Sequence, residues 1–190
     1  MFDGYIGKFV SPNNRSEVET EEYNIPLITS QTTNNGIQSY VREGEHVMLE
    51  DCLSISKDGV HAGTVFYQEG KFSLGNVAMG IYAKEKYKEN ISRLVYIYTA
   101  TLLEKIAKSF GGYDKKVGWN LFEYDLELPI NPEVSDIVPD WETMEDYING
   151  IKHLYLHKEE SNHKEKLELL FELTGWTEQD LDNIENLEGQ

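Results

Sequence analysis

The sequence predicts an α/β (α+β) protein: a strand-rich mixed sheet with one central helix, followed by short C-terminal helices. Three observations carry that expectation. Short apolar runs alternate with Gly, Asn and Asp turn chemistry through residues 1–80. Leu94, Val95, Tyr98, Leu102, Leu103, Ile106 and Phe110 then recur at helical spacing. From Pro139 onward the chain is acidic and helical in pattern.

The first predicted strand, residues 25–29, holds Pro26, which lacks an N–H and so belongs at a strand start or an edge. A polar stretch follows, residues 30–36, ending in the turn-forming dipeptide Asn35-Gly36. Further strands are expected at 37–41, 46–49, 53–56, 64–68 and 76–82, with hairpin-type turns at 57–59 and 68–71. Ser92 is the expected N-cap of the central helix, and Gly111-Gly112 stops it. Residues 119–126 return to strand character. Pro129, Pro132 and Pro139 mark an irregular connection, placing the expected boundary between residues 1–138 and an acidic helical segment, 139–190. In that segment Asp140 and Glu142 suit a helix start, Gly175 ends a second helix, and Thr177 caps a third.

The 190 residues suffice for a hydrophobic core without metal or disulfide. With 39% apolar and 12% aromatic residues the chain is too rich for disorder. A single cysteine, Cys52, excludes a disulfide framework or a multi-cysteine zinc site and fits a reducing, cytoplasmic setting. No apolar run is long enough to span a membrane. The net charge of −17 argues at face value against a polyanionic partner. The charge is unevenly spread, however: −6 over residues 1–60, +4 over 61–120 and −15 over 121–190. Screening beyond about 8–10 Å makes the local balance a better guide than the total.

Familiar catalytic patterns are missing. The chain has no Gly-rich phosphate loop, no G-x-G-x-x-G and no G-x-S-x-G. Asn131-Pro132-Glu133-Val134 lacks the second Pro and the aromatic of an amino-methyltransferase loop, and Pro139-Asp140 lacks the downstream acid and lysine of a nuclease. Cys52, flanked by apolar residues, suits burial better than nucleophilic work. His153 and His157, with Glu160 and His163 beyond, have a spacing that can face a divalent metal. Ile151, Leu154 and Tyr155 equally describe an amphipathic helix with solvated histidines.

What the chain offers instead is recognition chemistry. Thr29, Ser30, Gln31, Thr32, Thr33, Asn34 and Asn35 all donate or accept hydrogen bonds, and Asn and Gln can pair bidentately with adenine. Lys57, Lys71, Lys84, Lys86, Lys88, Arg93, Lys115 and Lys116 supply positive charge, several beside Tyr or Phe. Polar loops on strand scaffolds are also, more simply, loops.

The order of local patterns narrows these options. Residues 25–30 (Ile-Pro-Leu-Ile-Thr-Ser), 34–37 (Asn-Asn-Gly-Ile), 51–56 (Asp-Cys-Leu-Ser-Ile-Ser), 59–68 with Lys71-Phe72, and Leu128-Pro129-Ile130 with the 139–148 segment follow one another. In that order they resemble the DNA target recognition domain of type I restriction–modification specificity subunits, over roughly residues 3–148. The resemblance implies an α/β domain that grips half of a split double-stranded DNA target while docked on a modification methyltransferase, with a restriction subunit as a further partner. It implies no catalysis and no cofactor in this chain. Under it, Ser30, Gln31, Thr32, Thr33 and Asn34 become base-contact candidates, and Lys57, Lys71, Lys84, Lys86, Lys88, Lys115 and Lys116 phosphate-contact candidates. Gly59 and Gly63 are expected to serve a turn and a close strand approach, and Asn35-Gly36 to serve turn or readout alike.

Two departures from the family pattern shape the remaining expectations. Specificity subunits usually carry two recognition domains and long spacer helices; here there is one domain, and Gly150 and Gly175 interrupt the tail. A homodimer, or pairing with a second specificity half, would restore a split target by two-fold symmetry. The −15 of residues 121–190 belongs off the duplex, facing a basic protein partner through Leu167, Leu170, Phe171, Leu173 and Trp176. The competing expectation keeps the fold but drops DNA: an acidic decoy that occupies a restriction–modification partner, which requires carboxylates on the recognition face.

Overall fold

The computed structural model describes residues 1–110, 116–131 and 138–156. The chain divides into two compact units, Met1–Leu126 and Glu127–Gln190.

The first unit is built on six strands: β1 (Phe2–Ile6), β2 (Ile25–Ile28), β3 (Ile37–Val41), β4 (Met48–Ser56), β5 (Val65–Leu74) and β6 (Ala78–Ala83). They form one sheet in the order β1-β6-β4-β5-β2-β3. All neighbours are antiparallel except β2 and β5, which run parallel, so the sheet is mixed as the sequence predicted. Pro26 is the second residue of β2, an interior strand, and is tolerated because β2 pairs with β5 only from Leu27 onward, so Pro26 has a neighbour on the β3 side alone.

Helix α1 (Arg93–Phe110) packs on the sheet against β4 and β5. Ser92 Oγ accepts from the Val95 N–H at 3.3 Å, the capping bond expected of it. Val95, Thr99, Leu103 and Ala107 are buried and lie four apart, one stripe of the helix. Thr99 is tolerated there because its hydroxyl donates to the Val95 carbonyl at 2.8 Å. Gly63, with φ +95, lets the β4–β5 connection press on the Ala107–Lys108 backbone, where a Cβ would meet Lys108 N at 3.0 Å. The close approach expected at that glycine was to a strand; the structure makes it to α1 instead.

The sheet is sharply curled. Residues 75–77 are the whole connection between β5 and β6, although β4 lies between those strands. Three residues reach at most about 14 Å, whereas a flat nine-residue β4 would run roughly 26 Å. The β4–β5 ribbon closes the distance by bending where its register shifts between Glu50 and Cys52. Leu49 and Leu74 thereby fold over Gly80, in the space a Cβ would fill. Cys52–Ser56 are therefore all buried, covered on one face by α1 and on the other by the curled ribbon.

Three expectations need correction. The hairpin turn expected at 68–71 is not a turn: β5 runs straight through it, and Gly70, at φ +69, faces the bulge at Asp51. The strands expected at 46–49 and 53–56 are one strand joined across that bulge. Residues 119–126 are not a strand: Trp119–Glu123 form a 3-10 turn, held by Asn120 Oδ1 accepting from Gly118 N at 2.8 Å. Only Leu121 of that turn is buried, so no two-residue alternation exists to join a sheet, and the place beside β6 belongs to β1.

In the second unit, α2 (Trp141–Leu156) is capped by Asp140, which accepts from Thr143 N at 3.1 Å and from its hydroxyl at 2.8 Å. Met144, Ile148 and Ile151 are its buried stripe. Among the described residues no helix is long and apolar enough to cross a membrane.

Candidate nucleic-acid interface

The polar loop between β2 and β3 is closed at its base by Thr29 N donating to the Gly36 carbonyl at 3.0 Å. Asn34, Asn35 and Gly36 all take positive φ, at 51°, 49° and 80°, which short polar residues and glycine tolerate best. The two asparagines then part company. Asn35 points inward, donating to the Tyr67 carbonyl at 3.0 Å and to Gln68 Oε1 at 3.1 Å. Buried Gln68 returns bonds to the Asn35 carbonyl at 2.8 Å and to Ser54 Oγ at 2.9 Å. Asn35 is thus the loop's anchor. Gln31, Thr33 and Asn34 are exposed, and Ser30 and Thr32 half-buried.

Beside this loop runs a groove lined by Phe9, Val10, Arg15, Leu27, Thr29, Ser30, Gln31, Gln38, Gly75, Asn76 and Val77. In a chain with 34 acidic side chains, this lining includes no carboxylate. It brings together two of the predicted base-contact residues, Ser30 and Gln31, with three that sequence reasoning missed: Arg15, Gln38 and Asn76. Lys57 stands at its rim, its Nζ donating to the Asn76 carbonyl at 3.2 Å. Lys116, from the segment after α1, is brought beside Lys57: Val117 N donates to the Lys57 carbonyl at 3.0 Å, and Lys116 pairs with Asp58 at 3.1 Å.

The other lysines are elsewhere. Lys84, Lys86 and Lys88 follow the far end of β6, roughly 17 Å from the groove by strand rise. Lys84 meets Asp3 and Lys88 meets Glu85, each at 3.9 Å, and Lys86 lies over the Tyr87 ring at 4.4 Å. Lys71 is paired with Glu43 at 2.6 Å, which raises the ammonium's pKa and lowers the carboxyl's. Arg93 pairs with Glu69 at 3.6 Å. Much of the basic middle third therefore sits against carboxylates. Exposed pairs of this kind contribute about 0–1 kcal/mol, so a phosphate can replace the carboxylate at small cost. Lys115, Leu167, Leu170, Phe171, Leu173 and Trp176 lie outside the described residues.

Cys52 is buried, and desolvation with the nearby Asp51 charge pushes its thiol up to about 12, which leaves it inert as a nucleophile at neutral pH. Its structural reading stands. Among the described residues no three His, Cys, Asp or Glu side chains gather as metal ligands; His153 is exposed, and His157 and His163 lie outside those residues.

Comparison with known families settles the ancestry of this scaffold. Residues 10–161 match the type I restriction modification DNA specificity domain. The chain belongs to that family. The specificity domain shares its fold with the type I restriction–modification S subunit from M. genitalium, at 14% identity and a TM-score of 0.52, over 92% of this chain and 41% of that one. A chain from a structure of the type I restriction–modification system, described in terms of complex assembly and conformational transition, aligns at 11% identity and a TM-score of 0.58. There the alignment covers 99% of this chain and 44% of that one, so the specificity domain spans less than half the length of either structural relative. No curated protein matches the sequence.

Within the specificity domain, Arg15 was overlooked because it stands in the acidic front third, two residues before the Glu17–Glu22 run. The available signal was the Ser11-Pro12 start of a short turn: Ser11 Oγ accepts from Asn13 N at 3.4 Å, and the turn ends at Arg15.

Proposed function

We propose that this specificity domain reads one half of a split double-stranded DNA target and directs a modification methyltransferase, with its restriction partner, to that site. The observation that carries the reading is the carboxylate-free groove, where Ser30, Gln31, Gln38, Asn76 and Arg15 converge on an otherwise strongly acidic chain. Amide and guanidinium groups are the donors and acceptors that base edges in a major groove pair with, and the half-buried or exposed loop residues Ser30, Gln31, Thr32, Thr33 and Asn34 stand next to them. Lys57 and Lys116 supply phosphate contacts at the rim; Lys71, Lys84, Lys86, Lys88 and Lys115 serve phosphates farther along the duplex. The acidic segment 139–190 docks on a protein partner or on a second copy, through Leu167, Leu170, Phe171, Leu173 and Trp176. A second recognition domain, from another copy or another specificity half, reads the other half-site. Methyl transfer and cleavage belong to the partners, and this chain works in the cytoplasm without a cofactor.

The decoy reading requires carboxylates at the recognition face, and the groove lining supplies none. The test is selection from a random duplex library by the full chain together with a modification subunit of its system. Enrichment of a split sequence is expected. Absence of any sequence preference, with duplex DNA and this chain competing for the modification subunit, would establish the decoy instead.

A further inference from the structure

We propose that Arg15 is a specificity-determining residue that reads a guanine, and that Gln38 is its positioning residue; this rests on the DNA-reading function proposed above. Of the three arginines, Arg42 is held by Glu22 at 2.8 Å and Glu45 at 3.2 Å, and Arg93 by Glu69 at 3.6 Å. Arg15 alone among them touches no carboxylate among the described residues. Its partner is a neutral amide: Nη1 donates to Gln38 Oε1 at 2.8 Å.

That arrangement does two things. It leaves the positive charge without a contacting carboxylate in a groove whose lining lacks acids, so an electron-rich ligand meets an unneutralised cation there. It also fixes the plane of the guanidinium. One of five donors is spent on Gln38, and the rest of the fork stays in a set orientation beside Gln31 and Ser30. Gln38 is on β3, and the Arg15 segment is tied to the same strand, since Ser16 and Tyr40 exchange both backbone bonds, at 2.9 and 2.8 Å. The residue next to the arginine is thus bridged to the strand that carries its orienting amide. A phosphate also takes a guanidinium, often bidentately; what favours a base edge here is the company of Ser30, Gln31 and Asn76, side chains that pair with base edges. A locked planar fork matches two acceptors in one plane, and guanine O6 and N7 are such a pair in the major groove.

The experiment repeats the library selection with the unaltered chain and with Arg15→Lys, Arg15→Ala and Gln38→Ala, each bound to the modification subunit, with thermal unfolding of each variant as the folding control. In the unaltered complex one guanine position is expected to depend on Arg15. Arg15→Lys and Arg15→Ala should both erase preference at that position, weaken binding to the selected sequence by roughly ten-fold or more, and leave other positions intact. Gln38→Ala should blur the same position and no other. The proposal is overturned if Arg15→Lys retains the full preference, or if loss is uniform across sequences as for a phosphate contact. An unaltered complex that selects no sequence would instead overturn the DNA reading itself.

Discussion

Asn34 and Asn35 share a backbone conformation, φ 51° and 49°, yet one is exposed and the other holds the loop in place. The difference comes from across the sheet, where Gln68 offers both a donor and an acceptor to Asn35. Local sequence cannot distinguish them, because Gln68 is brought near only by the sheet. Cys52 is the converse, a residue whose apolar neighbours already announced its burial. With its thiol held near 12, native protein should not react with a thiol reagent at pH 8, and one thiol should appear when urea unfolds it. Rapid native reaction would contradict the packing around Cys52. Burial likewise raises Tyr67 to about 12. Both groups have folded pKa values above their ordinary ones, near 8.5 for Cys and 10 for Tyr. The neutral forms are thus favoured in the fold. The stability they contribute is complete below the ordinary values and is lost as pH rises toward 12. Urea midpoints should accordingly fall between about pH 9 and 12, less steeply in Cys52→Ala.

At the scale of elements, the bend in the β4–β5 ribbon decides the architecture. Asp51 takes φ +48, and its Oδ1 accepts from Gly70 N at 2.8 Å, with Gly70 itself at φ +69. One side chain thus bonds across the register shift and tolerates the left-handed backbone. Asp51→Ala removes the acceptor and places a poorly suited residue at positive φ, and should cost about 1–3 kcal/mol in chemical unfolding. Asp51→Asn keeps both properties and should stay within about 0.5 kcal/mol of the parent. Equal stability of the two variants would show that the bend does not depend on this bond. The Gln68-Glu69-Gly70-Lys71 sequence has true turn chemistry, and the structure uses it to curve a strand rather than to reverse one.

For the whole molecule, the decisive quantity is where charge is left uncompensated. The net −17 and the paired lysines leave few free cations near the groove among the described residues, chiefly Arg15 and Lys57, with Lys116 adjoining but paired to Asp58. With the seven lysines proposed above on phosphates, the affinity of the chain for its selected duplex should fall with salt at a log–log slope of roughly −6. Fluorescence anisotropy across a salt series measures it. A slope of only about −2 would mean that Lys57 and Lys116 alone reach phosphates and that Lys71, Lys84 and Lys88 keep their carboxylates.

Much of this was legible from residue order alone. Most strands, the central helix, the Ser92 cap and the burial of Cys52 follow from short-range chemistry: periodicity, capping side chains and turn dipeptides; the family likeness rests instead on the order of local motifs along the chain. The groove was half legible. Ser30 and Gln31 stood out as a polar loop, but Arg15, Gln38 and Asn76 come from three other segments, brought alongside by the Ser16–Tyr40 bridge, the antiparallel pairing of β2 with β3 and the parallel pairing of β2 with β5. The sequence by itself determined which chemical groups the protein has and which local elements carry them. Which cations stay unneutralised, and which amides stand beside Arg15, was decided by the tertiary structure. Those are contacts between residues distant in the chain, and local propensity holds no information about them.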